Sequence, residues 1–494
     1  MNGRDSRAYK IFEIISFVLL GLSFVILILQ CPIAVLYSKE IIPDGYVFKY
    51  IGIQMTKGQM PYLDIFDHKG PLTYLINYWA ALINRDYGIM ILEILINGIS
   101  AAFLFLIPVK CGCNKAVSAV IAFASMAYYC SIFEAGNFVE EFALPFTLFS
   151  LWVFTDFFLN NKVDTFRLVL CGSSLGAVLL LRPNMAVLWV VFCIAVLIKC
   201  IKEKRAKELI PFILKFIAGM TAVVLPVILW LYINGAWESF IEQYIVFNLT
   251  YSDADPILRS IAMMDMIKRP VIFIPIIIIG ILIFLHFKKK AAIPGFLFAY
   301  IFYIIIQSVL FTMAGTSYDH YYITAVPFLA YPLAEMIKAF KEHKKICYVF
   351  VGCIALWGVL LTITPLSNFM DYAVLGIRTP ADVAEMIDII KTESREEDKI
   401  TVLGNWGYIY LASDRESATR YTYAKPIIYL DKTIYDDYFN ELDKEVPRII
   451  VLEFNNDEIK EFLNKHSYYI IYKSKYFFAV KTDENVIGGN INEH

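Results

Sequence analysis

Phe12 to Leu36 read FEIISFVLLGLSFVILILQCPIAVL, with Glu13 the one charged side chain in the run. A hydrocarbon core of about 30 Å is crossed by about 20 apolar helical residues, so the stretch predicts a transmembrane helix. It is too long, and too poor in a small-residue cleavage site, for a removed signal peptide. Comparable runs follow near 71–84 continuing into 88–109, then at 116–133, 142–159, 168–181, 185–200, 211–233, 270–286, 293–313, 322–337 and 346–365. Of the 494 residues, 59% are hydrophobic and 18% charged, against about 45–50% and about 25% in soluble domains. The expectation is a polytopic α-helical membrane protein with about 11 spans.

Charge sets the orientation. Lys and Arg gather in the N-terminal arm and near 110–115, 162–167, 199–207, 288–290 and 338–345, and are about half as numerous in the longer loops between. The first set is expected in the cytoplasm with the N-terminus, and an odd span count places the C-terminus outside the cell membrane. A net charge of −2 supplies no basic stripe, which argues against nucleic acid. The nine cysteines sit in or beside apolar runs, with Cys111 and Cys113 the one close pair. They form neither a disulfide framework nor a CxxC metal site.

Beyond residue 370 the composition turns mixed and polar. Thr379, Pro380 and Asp382 read as a helix start, with Val383, Met386, Ile387 and Ile390 as its apolar stripe. KITVLG (399–404) and RIIVLEF (448–454) read as buried strands, a helix is expected near 457–465, and YYIIY (468–472) and YFFAV (476–480) read as further strands. The chain thus divides into a membrane module, 1–369, whose first external loop is 37–70, and a small extracytoplasmic α/β domain, 370–494. GNWG (404–407) reads as a turn, and without GxGxxG or GxxxxGK[ST] nucleotide binding has no support.

The first external loop runs into IIPDGYVFKYIGIQMTKGQMPYLDIFDHKGPL, Ile41–Leu72. It concentrates charge at the membrane surface, where dehydration is costly unless each group has a partner or a task. Residues 45–57 can lie as a helix on that surface, with Val47, Ile51 and Met55 on one side. Asp44 reads as that helix's N-cap or as a general base, and the roles can coexist. Asp64 and Asp67 straddle a turn. With His68 they have donor chemistry for a divalent ion, although DxxDH matches no specific ligand spacing. Lys69, just before Pro71 opens the next span, reads as a point-charge partner for phosphate or as a snorkelling cation paired with Asp67. Among later external segments, Glu141 reads as a helix-start charge, Arg182 as an interface anchor, and His320, beside Tyr321, as a hydrogen-bonded ring among aromatics. Together they place acid, base and cations on one side of the membrane, which points to a site for an anionic lipid-borne group.

An acid near the start of this loop followed by YxDxFDHKGPL (Tyr62–Leu72) resembles the membrane glycosyltransferases of the protein-mannosyltransferase and aminoarabinose-transferase type, within the GT-C superfamily. GNFVEEFALP (136–145), LLLRPN (179–184), QYIVFNLTY (243–251) and YDHYYITAVPF (318–328) extend the resemblance over about residues 1–370. It implies a polyprenyl-phosphate sugar donor, attacked outside the bilayer by a glycan, lipid or protein acceptor, with polyprenyl phosphate leaving. It further implies that Asp44 deprotonates the acceptor hydroxyl with inversion at the sugar, that Lys69 faces the donor phosphate aided by Arg182 and His320, and that Glu141 orients hydroxyls. Asp64, Asp67, His68 and Tyr321 complete the expected substrate-binding set. No cofactor is expected, with a divalent cation left open. Asp44 is followed by Gly45 where many members carry Asp-Glu. Lys69 is preceded by His68 where the aminoarabinose branch has glutamate, so that branch's metal arrangement does not carry over.

The alternatives are a transporter or flippase, or a polymerase or ligase, of lipid-linked saccharides. The sequence shows neither an internal repeat nor ionisable groups at span centres, which a transporter would favour. A receptor or assembly factor that binds a partner through the tail is a third reading.

Overall fold

The computed structural model describes residues 3–30, 43–251, 256–268, 273–288, 294–311, 318–375, 381–404, 406–422, 424–429, 432–453, 457–474 and 478–482. The end of the first expected span (31–36), the opening of the first loop (37–42), the Thr379–Pro380 helix start and the beginning of YFFAV lie outside the described residues.

Helices dominate. They run α1 (Gly3–Leu29), α2 (Pro43–Thr56), α3 (Pro71–Ile83), α4 (Gly88–Lys110), α5 (Lys115–Ser131), α6 (Val139–Asn160), α7 (Thr165–Leu181), α8 (Val187–Lys202) and α9 (Leu209–Ile233). Then follow α10 (Trp237–Phe240), α11 (Phe247–Tyr251), α12 (Pro256–Lys268), α13 (Phe273–Phe287), α14 (Pro294–Leu310), α15 (Pro327–Ala339) and α16 (Lys344–Leu375). Among the described residues six helical segments are long and apolar enough to cross a membrane: Tyr9–Leu29, Gly88–Lys110, Val139–Asn160, Pro183–Lys202, Ala206–Ile233 and Lys344–Ser367. Thr165–Leu181, Phe273–Phe287 and Gly295–Leu310 are shorter apolar helices. The chain is a membrane protein. Helix α5, rich in Ala and Ser, is buried along nearly its whole length between α1, α4 and α16, because small side chains let helix backbones approach closely.

Two stretches differ from the hydropathy reading. The expected span 322–337 is split into a 3₁₀ segment, Asp319–Ala325, and α15. Pro327 stands in the first turn of α15, where its fixed φ and missing N–H suit a helix start. The stretch 237–251, which carries no span, is helical, with a π-helical turn at Ile241–Val246 between α10 and α11.

The C-terminal part contains α17 (Ala381–Glu393), β1 (Ile400–Leu403), α18 (Gly407–Ser413), α19 (Ala424–Ile427), α20 (Lys432–Glu445), β2 (Ile449–Leu452), α21 (Asp457–Lys465), β3 (Tyr468–Lys473) and β4 (Phe478–Thr482). The sheet order is β1-β2-β4-β3; β1 and β2 are parallel and the other pairs antiparallel. Side chains alternate along each strand. Ile400, Val402, Ile449 and Val451 therefore join the core that continues into the helical module, while Leu403, Ile450 and Leu452 build a second core with α20 and α21. Two features tie this unit to the first loop. Tyr46 and Tyr50 of α2 pack against Tyr408 and Tyr410 of α18, and the Phe66 N–H donates to the Arg420 carbonyl at 2.9 Å.

Candidate active site

The segment 57–70 is held from several sides. The Tyr62 hydroxyl donates to the Lys69 carbonyl at 2.7 Å and the Lys69 N–H donates to the Tyr74 hydroxyl at 3.1 Å. Gln243, in the π-helical turn, accepts from the Asp67 N–H at 3.2 Å and donates to the Tyr62 carbonyl at 2.7 Å. Asn248 donates to the His68 carbonyl at 2.7 Å. The Gly70 N–H donates to the Leu181 carbonyl at 3.2 Å. The approach there is so close that a Cβ on Gly70 would overlap the Leu180 carbonyl, so the loop meets the end of α7 only because the residue is glycine.

This scaffold brings Lys69 against the N-terminus of α2. Its ammonium lies 4.0 Å from Asp44 Oδ2 and 3.1 Å from His68 Nε2. Burial pulls the Lys69 pKa down, but Asp44 and Asp67 outweigh it and the opposing Arg182, leaving the pKa above its ordinary value. Lys69 is therefore a secure cation. Burial, reinforced by Lys69 and Arg182, drives His68 well below the usual imidazole range. A neutral ring can then accept from Lys69 through Nε2. Asp67 is almost fully buried. Burial raises its pKa to about 6 against the pull of Lys69 and of the His68 N–H, which donates to its carboxylate at 2.6 Å.

Arg182 follows α7 directly. Its guanidinium pairs with Glu140 in the first turn of α6 and lies 4.9 Å over the Tyr321 ring. Asp44, Asp67, His68, Lys69, Arg182 and Tyr321 thus form one electrostatically connected group.

The other expected residues take different places. Asp64 is exposed and accepts from the Met60 N–H at 2.7 Å, closing its own turn. His320 is clamped by stacking on Phe138, with ring centroids 4.1 Å apart, and its Nδ1 lies 2.6 Å from Glu134 Oε2. Glu141 is fully buried, accepts from Asn97 at 2.6 Å, and shares the Asn137 N–H with Glu93, each at 2.8 Å. Glu93, in the second turn of α4, is an ionisable span residue that the hydropathy reading passes over. Its signal is an acid inside the apolar run IMILEILIN, which is expensive in a membrane unless buried with partners.

Asn137 explains this arrangement. Glu134, Ala135, Gly136 and Asn137 all have positive φ, at 44°, 76°, 90° and 57°. Consecutive left-handed residues persist only when their surroundings force them. Here His320 holds Glu134, and Glu93 with Glu141 holds the Asn137 N–H. The Asn137 amide then donates to the Gly45 carbonyl at 2.6 Å, which fixes the first turn of α2 and with it Asp44. Among the described residues no three His, Cys, Asp or Glu side chains converge as a metal cage. The Lys69 ammonium faces His68 Nε2.

Among solved structures, the chain is similar to ArnT from Cupriavidus metallidurans bound to undecaprenyl phosphate, with 12% identity, a TM-score of 0.62, and coverage of 98% of this chain and 100% of that one. It is similar to the apo state of the same protein at 11% identity and a TM-score of 0.58, covering 99% and 100%. These likenesses show a GT-C-like fold. No curated protein matches the sequence. The family model described as "Putative competence-induced protein Ccs4 N-terminal domain" matches residues 5–346, from α1 into α16 and short of the C-terminal sheet. The chain belongs to the Ccs4 N-terminal domain family.

Proposed function

We propose that the protein is a membrane glycosyltransferase that moves a sugar from a polyprenyl-phosphate donor to an acceptor outside the membrane. The observation that carries this reading is the Asp44 carboxylate 4.0 Å from the Lys69 ammonium, with Arg182 close enough to perturb Lys69. A carboxylate beside two cations suits a reaction in which a hydroxyl loses a proton while a phosphate gains negative charge.

In this reading the acceptor hydroxyl gives its proton to Asp44 as its oxygen forms a bond to the anomeric carbon. The bond from that carbon to the phosphate oxygen breaks, and its electron pair leaves with polyprenyl phosphate. Lys69 and Arg182 balance the charge that grows on the phosphate, and attack opposite the leaving group inverts the sugar. A cavity of 580 Å³, lined by Ile277, Ile278, Leu333, Trp357 and Leu361 with Asp319 in its wall, offers an apolar path for the lipid chain beside His320. The bound lipid of the similar ArnT structure supports polyprenyl phosphate as the partner. About 11 spans, a cytoplasmic N-terminus and an extracytoplasmic C-terminal unit belong to this proposal.

The test is release or transfer of radiolabelled sugar from a panel of polyprenyl-phosphate sugars by the purified chain in detergent. Turnover of one donor is expected, and a parallel assay with EDTA reports whether a divalent cation takes part. Movement of intact lipid-linked saccharide across proteoliposomes without bond cleavage would replace the reading with transport.

A further inference from the structure

The helical stretch 237–251 meets the chain just before each of the two cations, Lys69 and Arg182. It does so through Gln243 and Tyr244, both buried in the π-helical turn, and through Asn248 of α11.

On one side it takes the backbone of the Lys69 loop. The Gln243 amide donates to the Tyr62 carbonyl and accepts from the Asp67 N–H, so one side chain staples the two ends of that turn. Asn248 donates to the carbonyl of His68, the residue before Lys69. The Phe240 ring packs on Tyr62 at 5.4 Å between centroids, and the Phe247 ring packs on Phe66 at 5.8 Å and His68 at 5.4 Å. Buried backbone groups need such partners when no regular element supplies them.

On the other side it takes the end of α7. The last carbonyls of a helix have no partner within it. That of Leu181 is met by the Gly70 N–H, and that of Leu179 by the Tyr244 hydroxyl at 2.6 Å. Arg182 follows at once.

The π turn serves this double grip. The Phe247 N–H donates to the Glu242 carbonyl, an i→i+5 bond. Regular α geometry turns residue i+5 about 140° away from residue i, and the wider π turn reduces that angle. Asn248 is thereby brought round toward the loop that Gln243 already holds.

We propose that this segment is the positioning element of the phosphate site: Gln243 and Asn248 set Lys69, Tyr244 sets Arg182, and one turn of helix fixes the spacing of the two cations. The three residues act through the cations rather than on the donor. The task given to the cations rests on the glycosyltransferase reading; the clamp itself does not.

The experiment is a double-mutant cycle on the full chain in detergent, read as affinity for labelled undecaprenyl phosphate. Gln243→Leu should weaken binding about tenfold in the wild-type background but less than about twofold in a Lys69→Ala background, because a residue acting through Lys69 then has nothing left to position. Tyr244→Phe keeps the ring and removes one hydroxyl; its expected loss of about threefold should vanish in an Arg182→Ala background. Equal losses with and without the cation would overturn the proposal, as would wild-type affinity in both Gln243→Leu and Tyr244→Phe. Hydrogen exchange reads the clamp without reference to any ligand. Gln243→Leu should speed exchange of the amides across 62–70 and leave the C-terminal sheet unchanged, and wild-type exchange across 62–70 would also overturn the proposal. Faster exchange there, with lipid-phosphate affinity indifferent to Lys69→Ala, would keep the clamp and count against the phosphate site of the glycosyltransferase reading.

Discussion

Lys69 Nζ stands 4.0 Å from Asp44 Oδ2, which brings a cation from the end of the first loop to an acid in the first turn of α2. Lys69→Ala is expected to weaken binding of polyprenyl phosphate on the order of 10–100-fold, the range for one lost hydrogen bond to a charged group. Displacement of a labelled lipid phosphate from purified protein measures this. Unchanged affinity would remove Lys69 from the phosphate site.

Asp67 makes a prediction about pH. Its pKa is raised to about 6 in the folded protein, from an ordinary 3.8, chiefly by burial. Between those values the folded state holds a proton that the unfolded state has released, so this group's contribution to stability falls as pH rises from about 4 to 6. The penalty, fully present above pH 6, is about 3 kcal/mol. Asp67→Asn should remove this dependence. Its unfolding temperature relative to wild type should therefore rise between pH 4.5 and pH 7.5, and a constant difference would contradict the assignment.

Asn137 couples the buried acids to the first turn of α2. Asn137→Ala removes the donor to Gly45 and leaves alanine at a φ of 57°, at an expected cost of about 2–4 kcal/mol. A fall in both unfolding temperature and turnover is expected, with donor affinity retained because Lys69 and Arg182 are untouched. Scanning calorimetry and donor titration together check it; wild-type turnover in the variant would show that Asp44 is positioned without this turn.

Much of the fold was legible because a bilayer demands long apolar helices, and runs such as Gly88–Lys110 and Val139–Asn160 announce themselves by length. KITVLG and RIIVLEF read as buried strands because both faces of β1 and β2 are covered. The split at Pro327 was missed because hydropathy averages over a window and does not register a 3₁₀ segment inside it. The loop's local chemistry and its family resemblance single out Asp44 and Lys69 as candidates, and the fold sets them 4.0 Å apart. The sharing of one Asn137 N–H by Glu93 and Glu141 was not, since it depends on which faces of α4 and α6 meet. Asp64 looked equivalent to Asp67 in sequence, yet a turn separates an exposed acid from a buried one.

The most direct test of the central claim is single-turnover sugar transfer by Asp44→Asn beside wild type, with donor affinity measured on the same preparations. Loss of a general base predicts a rate lower by about 10²–10⁴-fold with donor affinity within about threefold of wild type. A wild-type rate in the folded variant would contradict the assignment of Asp44 as the base.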